Sequence, residues 1–333
     1  MGQHTIVFQK PPKIISTYTV VGPKESEGPL TEEFHLRLAD DKFGEKTFEK
    51  AERKMLEYAI DHAITAAGRD YENIDAIISG DLLNQIVSAS FAARAFSIPF
   101  IGLYSACSTM SQSLAIGATL LSGEFMNCVV CGTGSHFASA ERQYRFPLEL
   151  GCSRPPCAQW TVTGAGACVL ALEGEGPKIT MATFGKVIDY GVTDANNMGA
   201  AMAPAAADTL YRHFAETKRT ADDYDMIVTG DLGAYGSKLM NKLMKDKGYP
   251  IDAKHYDCGE MIYYRDEDSY QGDSGAGCSA ITLCSYLYRL LSTKRMRIIF
   301  MATGALLSTV TTQQGESVPA VSHLVVIESE GKK

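Results

Sequence analysis

The residue best placed for chemistry is Cys107, in the string "YSACSTM". Small residues lead there into the apolar, helix-spaced body "SLAIGATLL", so the cysteine falls at the start of a helix. The unpaired N–H groups of a first helical turn carry partial positive charge and favour a thiolate, which activates an acyl-accepting cysteine. The ordinary reading of any one of nine cysteines is an inert buried thiol; the helix-start context singles out Cys107. Side chains able to offset an anion gather in "SHFASAERQYRFP", namely His136, Arg142 and Arg145. Guanidinium forks match carboxylates in bidentate geometry. Against that stand surface ion pairing for the arginines and a backbone-satisfied strand end for the histidine. Asp81 closes "DAIISGDL" at a strand C-terminus, where it could orient Cys107 or a basic partner, or simply bond its own turn. Asn84 follows as a donor. His255 in "KHYDCGE" and Asp273 in "QGDSGAG" are the later candidates. Trp160 and Tyr144 read most simply as core packing.

The elements that must position these residues occur twice. "DAIISGDL" at 75–82 returns as "DMIVTGDL" at 225–232, 150 positions later. Each is an apolar, β-branched run and reads as a buried parallel strand. Helical patterns precede both: Met55, Leu56, Ala59, Ile60, Ala63 and Ile64 before the first, "AAADTLYRHFAETK" before the second. The helix beginning near Cys107 is echoed by "GCSAITLCSYLYRLL" from 277. Each half then ends on two further strands, "CVVCGTG" and "GACVLALE" in the first, "IIFMATG" and "SHLVVIES" in the second. Four matching elements in one order predict a duplicated α/β fold, with halves 1–174 and 175–333 and a polar insertion at 260–271.

Composition narrows the function. A net charge of −8 opposes nucleic-acid binding, which needs a clustered basic face. Cys128 and Cys131 form a lone C-x-x-C, short of a zinc site, and no dinucleotide, Walker A or hydrolase signature is present; no cofactor and no metal are expected. An odd cysteine count and a start without an export pattern point to a reducing, cytoplasmic setting. No apolar run approaches the ~20 residues of a membrane helix, so any membrane role is peripheral.

Two copies of such a half, with "ACS" opening the central helix and "TVTGAGACVLALE" closing the first copy, resemble the thiolase superfamily and its ketoacyl synthases. That resemblance implies a five-layer α/β/α/β/α core. It also implies a homodimer, paired antiparallel across the two-fold through Cys128 to Thr133. The condensing members need a histidine after the strand that here reads "DMIVTGDL", and an asparagine before the last central helix. Here Gly230 and Asp231 fill the first place and Asp273 the second. A closer resemblance rests on "VGPKESEGPL", "ISGDLLNQ", "ACSTM", "SHFASAERQYRFP", "MGAAMAPAAADT" and "ATGALLS". These strings are similar to the stage V sporulation protein AD family of endospore-forming bacteria. The family implies a non-enzymatic, dipicolinate-binding subunit, peripheral on the spore inner membrane and partnered by the membrane subunits of an assembly that moves dipicolinate with calcium. The ligand set expected on that basis is Asp81, Asn84, Cys107, His136, Arg142, Arg145, His255 and Asp273. The competing expectation is a Cys107-dependent acyl-transfer or condensing enzyme.

Overall fold

Ala76–Gly80, "AIISG", is buried along its whole length, as a strand covered by helices on both faces must be. Its repeat, Met226–Gly230, is buried in the same way. The two faces differ in what covers them. Ile77 and Ile227 turn toward the outer helices, whereas Ile78 and Val228 join one central cluster.

The computed structural model describes residues 2–144, 154–264 and 270–331. The first half runs β1 (Thr5–Val7), β2 (Lys13–Val21), β3 (Leu36–Arg37), α1 (Phe48–Ala66), β4 (Ala76–Gly80), α2 (Val87–Ala93), β5 (Phe100–Gly102), α3 (Thr109–Ser122), β6 (Cys128–Ser135), α4 (Phe137–Tyr144), β7 (Trp160–Thr161) and β8 (Gly164–Ala171). The second runs β9 (Lys178–Thr183), α5 (Met198–Thr217), β10 (Met226–Gly230), α6 (Gly233–Asp246), β11 (His255–Asp257), β12 (Asp273–Ser274) and α7 (Ala276–Thr282). A π turn (Leu283–Leu287) carries α7 into α8 (Tyr288–Thr293), and β13 (Arg295–Ala305), α9 (Thr309–Gln313) and β14 (Ala320–Glu330) follow.

The strand order β5-β4-β6-β8-β2 continues as β9-β14-β13-β10-β11, so the halves mirror one another strand for strand. In each, the outer three strands are parallel and the inner pairs antiparallel. In the sheet the halves meet at β9, which pairs with β2 through Lys13 and Lys178 and with β1 over Thr5–Val7. Helices α3 and α7 touch strands of both halves and form the middle layer, with α1 and α2 outside one half-sheet and α5 and α6 outside the other. This is the duplicated α/β fold that the repeat predicts, in the five-layer α/β/α/β/α arrangement that the thiolase resemblance implies. The periodic residues Met55, Leu56, Ala59, Ile60, Ala63 and Ile64 all face inward from α1, whose start is capped by Thr47 accepting from the Lys50 N–H.

One expectation fails. Cys128 to Thr133 lies in β6, which is flanked by β4 on one side and β8 on the other, so both rows of its backbone groups are already paired. Among the described strands, the edge of the first half is β5 instead, Phe100–Gly102. The sequence could not separate these two, because both read as short apolar strands beside the cysteine helix. The expected insertion at 260–271 falls partly outside the described residues, at 265–269. Among the described residues, no helix is long and apolar enough to cross a membrane.

Candidate functional site

Cys107 lies in a single 3-10 turn, Ala106–Ser108, that leads directly into α3. Ala106 has φ of +50°, a left-handed conformation unfavourable for a residue with a Cβ. The turn is held from the second half: Ser108 Oγ donates to the Ala302 carbonyl at 2.8 Å, and the His323 N–H donates to Ser108 Oγ at 3.2 Å. Gly304 of β13 makes that approach possible, since a Cβ there would come within 2.0 Å of the Ser105 carbonyl oxygen. The cysteine is thus held in a strained turn fixed by both halves, and is 95% buried by its neighbours (5% exposed).

A pocket of about 40 Å³ opens beside it, room for roughly three waters at ~10–15 Å³ each. Its wall combines Leu82, Tyr104, Cys107, Ala140, Glu141 and Tyr144 from the first half with Met198, Ser274, Gly275, Ala305 and Leu307 from the second. Glu141 is the one charged residue among the described lining. It is buried and paired with Arg154 at 3.1 Å. Tyr104 and Tyr144 hydrogen-bond each other, and burial raises the pKa of both phenols.

Of the eight residues expected to bind a ligand, the structure brings Cys107 to this wall. Asp81 is fully buried beneath it, and its carboxylate accepts the Leu83 and Ala89 N–H groups, each at 2.7 Å. Its role is therefore to anchor the turn after β4. Asn84 points outward, with its N–H donating to Gln143. Both ring nitrogens of His136 are taken by backbone: Nε2 donates to the Asp41 carbonyl at 2.7 Å and Nδ1 accepts from the Ala138 N–H at 3.1 Å. Burial lowers its pKa and favours that neutral ring. Arg142 pairs with Glu49 at 3.3 Å and lies over the Phe48 ring. His255 is held between Thr229 Oγ1 and Asn241 Oδ1 on the outer side of β10, with its pKa lowered to about 4 by burial. Asp273 is buried just behind Ser274 and Gly275 rather than in the wall. Arg145 lies outside the described residues.

Buried acids of both halves are perturbed, and those of the second half lie behind the pocket. Among the described residues, the carboxylate oxygens of Asp231 and Asp273 make no well-formed hydrogen bond. Burial, followed by the neighbouring Asp257 charge, pushes both pKa values well above the carboxylate range and favours the neutral acids. The Cys278 thiol and the Gly275 N–H lie close enough to Asp231 to pull in the other direction, without offsetting burial. Asp257 differs: it accepts from Thr229 Oγ1 and from the N–H groups of Leu232, Gly233 and Gly259. Its pKa is raised to about 7, again chiefly by burial.

Glu141, Arg154, Tyr104 and Met198 escaped the reading of single residues. A signal for most of the wall did exist. Leu82, Cys107, Ala140, Glu141, Tyr144, Met198, Ala305 and Leu307 all fall within the strings that carried the family resemblance, and the fold gathers five of those segments around one cavity. Arg154 lies in none of them.

Comparison with known proteins bears on both fold and family. Residues 2–328 match the family model described as Stage V sporulation protein AD. The Stage V sporulation protein AD of Bacillus subtilis (strain 168) is 43% identical over 331 residues, covering 99% of this chain and 98% of the relative. Among solved structures, a Xanthomonas campestris OleA variant bound with cerulenin aligns with a TM-score of 0.61 at 14% identity, over 97% of this chain and 98% of that one. The 3-oxoacyl-[acyl-carrier-protein] synthase III of Aquifex aeolicus aligns with a TM-score of 0.56 at 13% identity, over 95% and 99%. A tetronic acid condensing enzyme gives 0.58 at 15%, over 96% and 100%. At such identities these structures establish the thiolase-like fold alone.

Proposed function

Since the chain belongs to the stage V sporulation protein AD family, we propose that it serves as a binding subunit that takes up pyridine-2,6-dicarboxylate without turning it over. The observation that carries this reading is the pair of buried, unpartnered acids Asp231 and Asp273, which occupy the places where a condensing enzyme needs its histidine and asparagine. Neither acid can offer the imidazole that moves a proton or the amide that steadies an oxyanion. His255, the remaining candidate, is fully engaged by Thr229 and Asn241. The surviving Cys107 is left in a pocket walled by two tyrosines, surroundings that suit a flat aromatic ring. A pocket of about 40 Å³ must widen to admit such a ring.

Isothermal calorimetry with pyridine-2,6-dicarboxylate, run beside an acyl-CoA, tests the reading. Binding of the dicarboxylate without acyl-CoA turnover is the expected result. Turnover abolished by Cys107→Ala would replace it with the acyl-transfer reading, which the strained turn at Ala106 and the helix start at Cys107 favour. Loss of the histidine role removes a contribution on the order of 10²–10⁴-fold in rate.

The same reading places the protein at the inner membrane of the spore, docked on membrane subunits that carry the dicarboxylate with calcium. It also works as a homodimer joined through the free edge of β5, where the neighbouring α2 exposes Val87 and Phe91. Light scattering at micromolar concentration should return twice the chain mass; a monomer mass would refute that pairing.

A further inference from the structure

A dianion entering this pocket needs a cation, and among the described residues His136, Arg142 and His255 do not supply one at the wall. Arg154 stands directly behind it. Its Nη1 lies 3.1 Å from Oε1 of Glu141, and the two side chains are only 17% and 6% exposed. The guanidinium is clamped in place. It lies over the rings of Trp160 and Phe137, 5.2 and 5.4 Å from their centroids, and those rings stack 3.8 Å apart. Nη2 donates to the Gln159 carbonyl. The Gln159 side chain donates in turn to the backbone carbonyls of Asp231 at 2.7 Å and Asp273 at 3.0 Å. The Nε of Arg154 is buried and finds no acceptor among the described residues. The result is a rigid, already desolvated cation with a spare donor, covered on the pocket side by one glutamate.

We propose that Arg154 is the anion receptor of the pocket and that Glu141 holds the position a ligand carboxylate takes. The inference rests on the dicarboxylate reading above and assigns the group that reads the ligand's charge. Its physical basis is exchange. Moving a guanidinium out of water for a new ligand is costly, but here that cost has been met in folding by the pairing with Glu141. Trading one carboxylate for another on the same fork leaves the number of buried charge pairs unchanged. Glu141 belongs to the last turn of α4 and is part of the wall. Swinging it outward frees the Arg154 fork and enlarges a cavity that is otherwise too small. Specificity follows: an uncharged isostere gains nothing by displacing Glu141 and is rejected.

Calorimetry with pyridine-2,6-dicarboxylate and its neutral diamide, on the wild type and on Glu141→Gln, Arg154→Gln and the double variant, tests this. Arg154→Gln should weaken dicarboxylate binding roughly tenfold to a hundredfold, the usual effect of losing a charge-assisted contact. Glu141→Gln should tighten it by up to about tenfold, because the internal competitor is gone. The double variant replaces both charges by amides of similar shape, so it guards against misfolding from an unpaired buried charge; it should melt cooperatively and bind as weakly as Arg154→Gln. The diamide should bind the wild type no better than it binds the double variant. Wild-type binding that survives unchanged in a folded Arg154→Gln or double variant would sink this inference alone. A wild type that binds no dicarboxylate would sink it together with the ligand reading.

Discussion

Two Gly-Asp-Leu turns, 150 residues apart and at equivalent ends of β4 and β10, do opposite work. Asp81 is an anchor: its two oxygens collect the Leu83 and Ala89 N–H groups and hold the chain that leads into α2. Asp231 anchors nothing. Its backbone is left-handed at φ +76°, and its carboxylate lies unpartnered in the interior. In the second half the anchoring has passed to Asp257, which collects the Leu232 and Gly233 N–H groups from the neighbouring strand. That position is not arbitrary. Asp257 is the β11 partner of Thr229, as Gly102 is the β5 partner of Ser79, so a glycine in one copy answers an aspartate in the other. Relieved of the turn, Asp231 leaves its carboxylate free of any anchoring load. A repeat in sequence is therefore a repeat of topology, while the load on equivalent residues can move to the adjacent strand.

The sharpest way to break this comparison is Asp257→Ala. It strands three buried N–H groups, each costing about 1–3 kcal/mol, and should destabilise the protein by about 3–5 kcal/mol in urea unfolding. A loss below about 1 kcal/mol would show that Asp257 is no anchor. Asp81→Ala strands two such groups, and the expected loss is smaller, about 2–3 kcal/mol by the same measurement.

The third prediction concerns pH. Burial raises the folded pKa of Asp273 above its unfolded value. The native state therefore keeps a proton that the unfolded chain gives up near the ordinary aspartate value of about 4. Its contribution to stability is full below that pH and is lost as pH climbs toward the folded pKa. Asp257 adds the same trend between about 4 and about 7. Asp273→Asn does not titrate, so its stability should fall less steeply than that of the wild type between pH 5 and 8. The difference should be up to about 1.4 kcal/mol per pH unit, read from melting curves across that range; parallel curves would mean that the carboxyl is already ionised. The smallest effect belongs to Asp231→Asn. With no well-formed hydrogen bond to lose, it should lie within about 1 kcal/mol of the wild type and on the stabilising side. A large destabilisation there would make Asp231 a second anchor and erase the contrast with Asp81.

Local patterns decided a great deal of this molecule. The helical spacing of Met55 to Ile64, the two β-branched runs ending in Gly-Asp-Leu and the small residues around Cys107 are short-range signals. Each leads to an element the structure contains, because the periods of helix and strand act over a few residues. Burial and partner choice are long-range properties, and there the tertiary structure ruled. It placed β6 inside the sheet and left β5 at the edge. It tied His136 and His255 to neighbours that no spacing rule brings near them. It also drew Arg154 behind the pocket wall onto Glu141, 13 residues earlier in the chain, and linked it through Gln159 to Asp231 and Asp273 on the other half. A sequence records which side chains carry charge; which of those charges face one another is settled when two half-sheets close over a shared layer of helices.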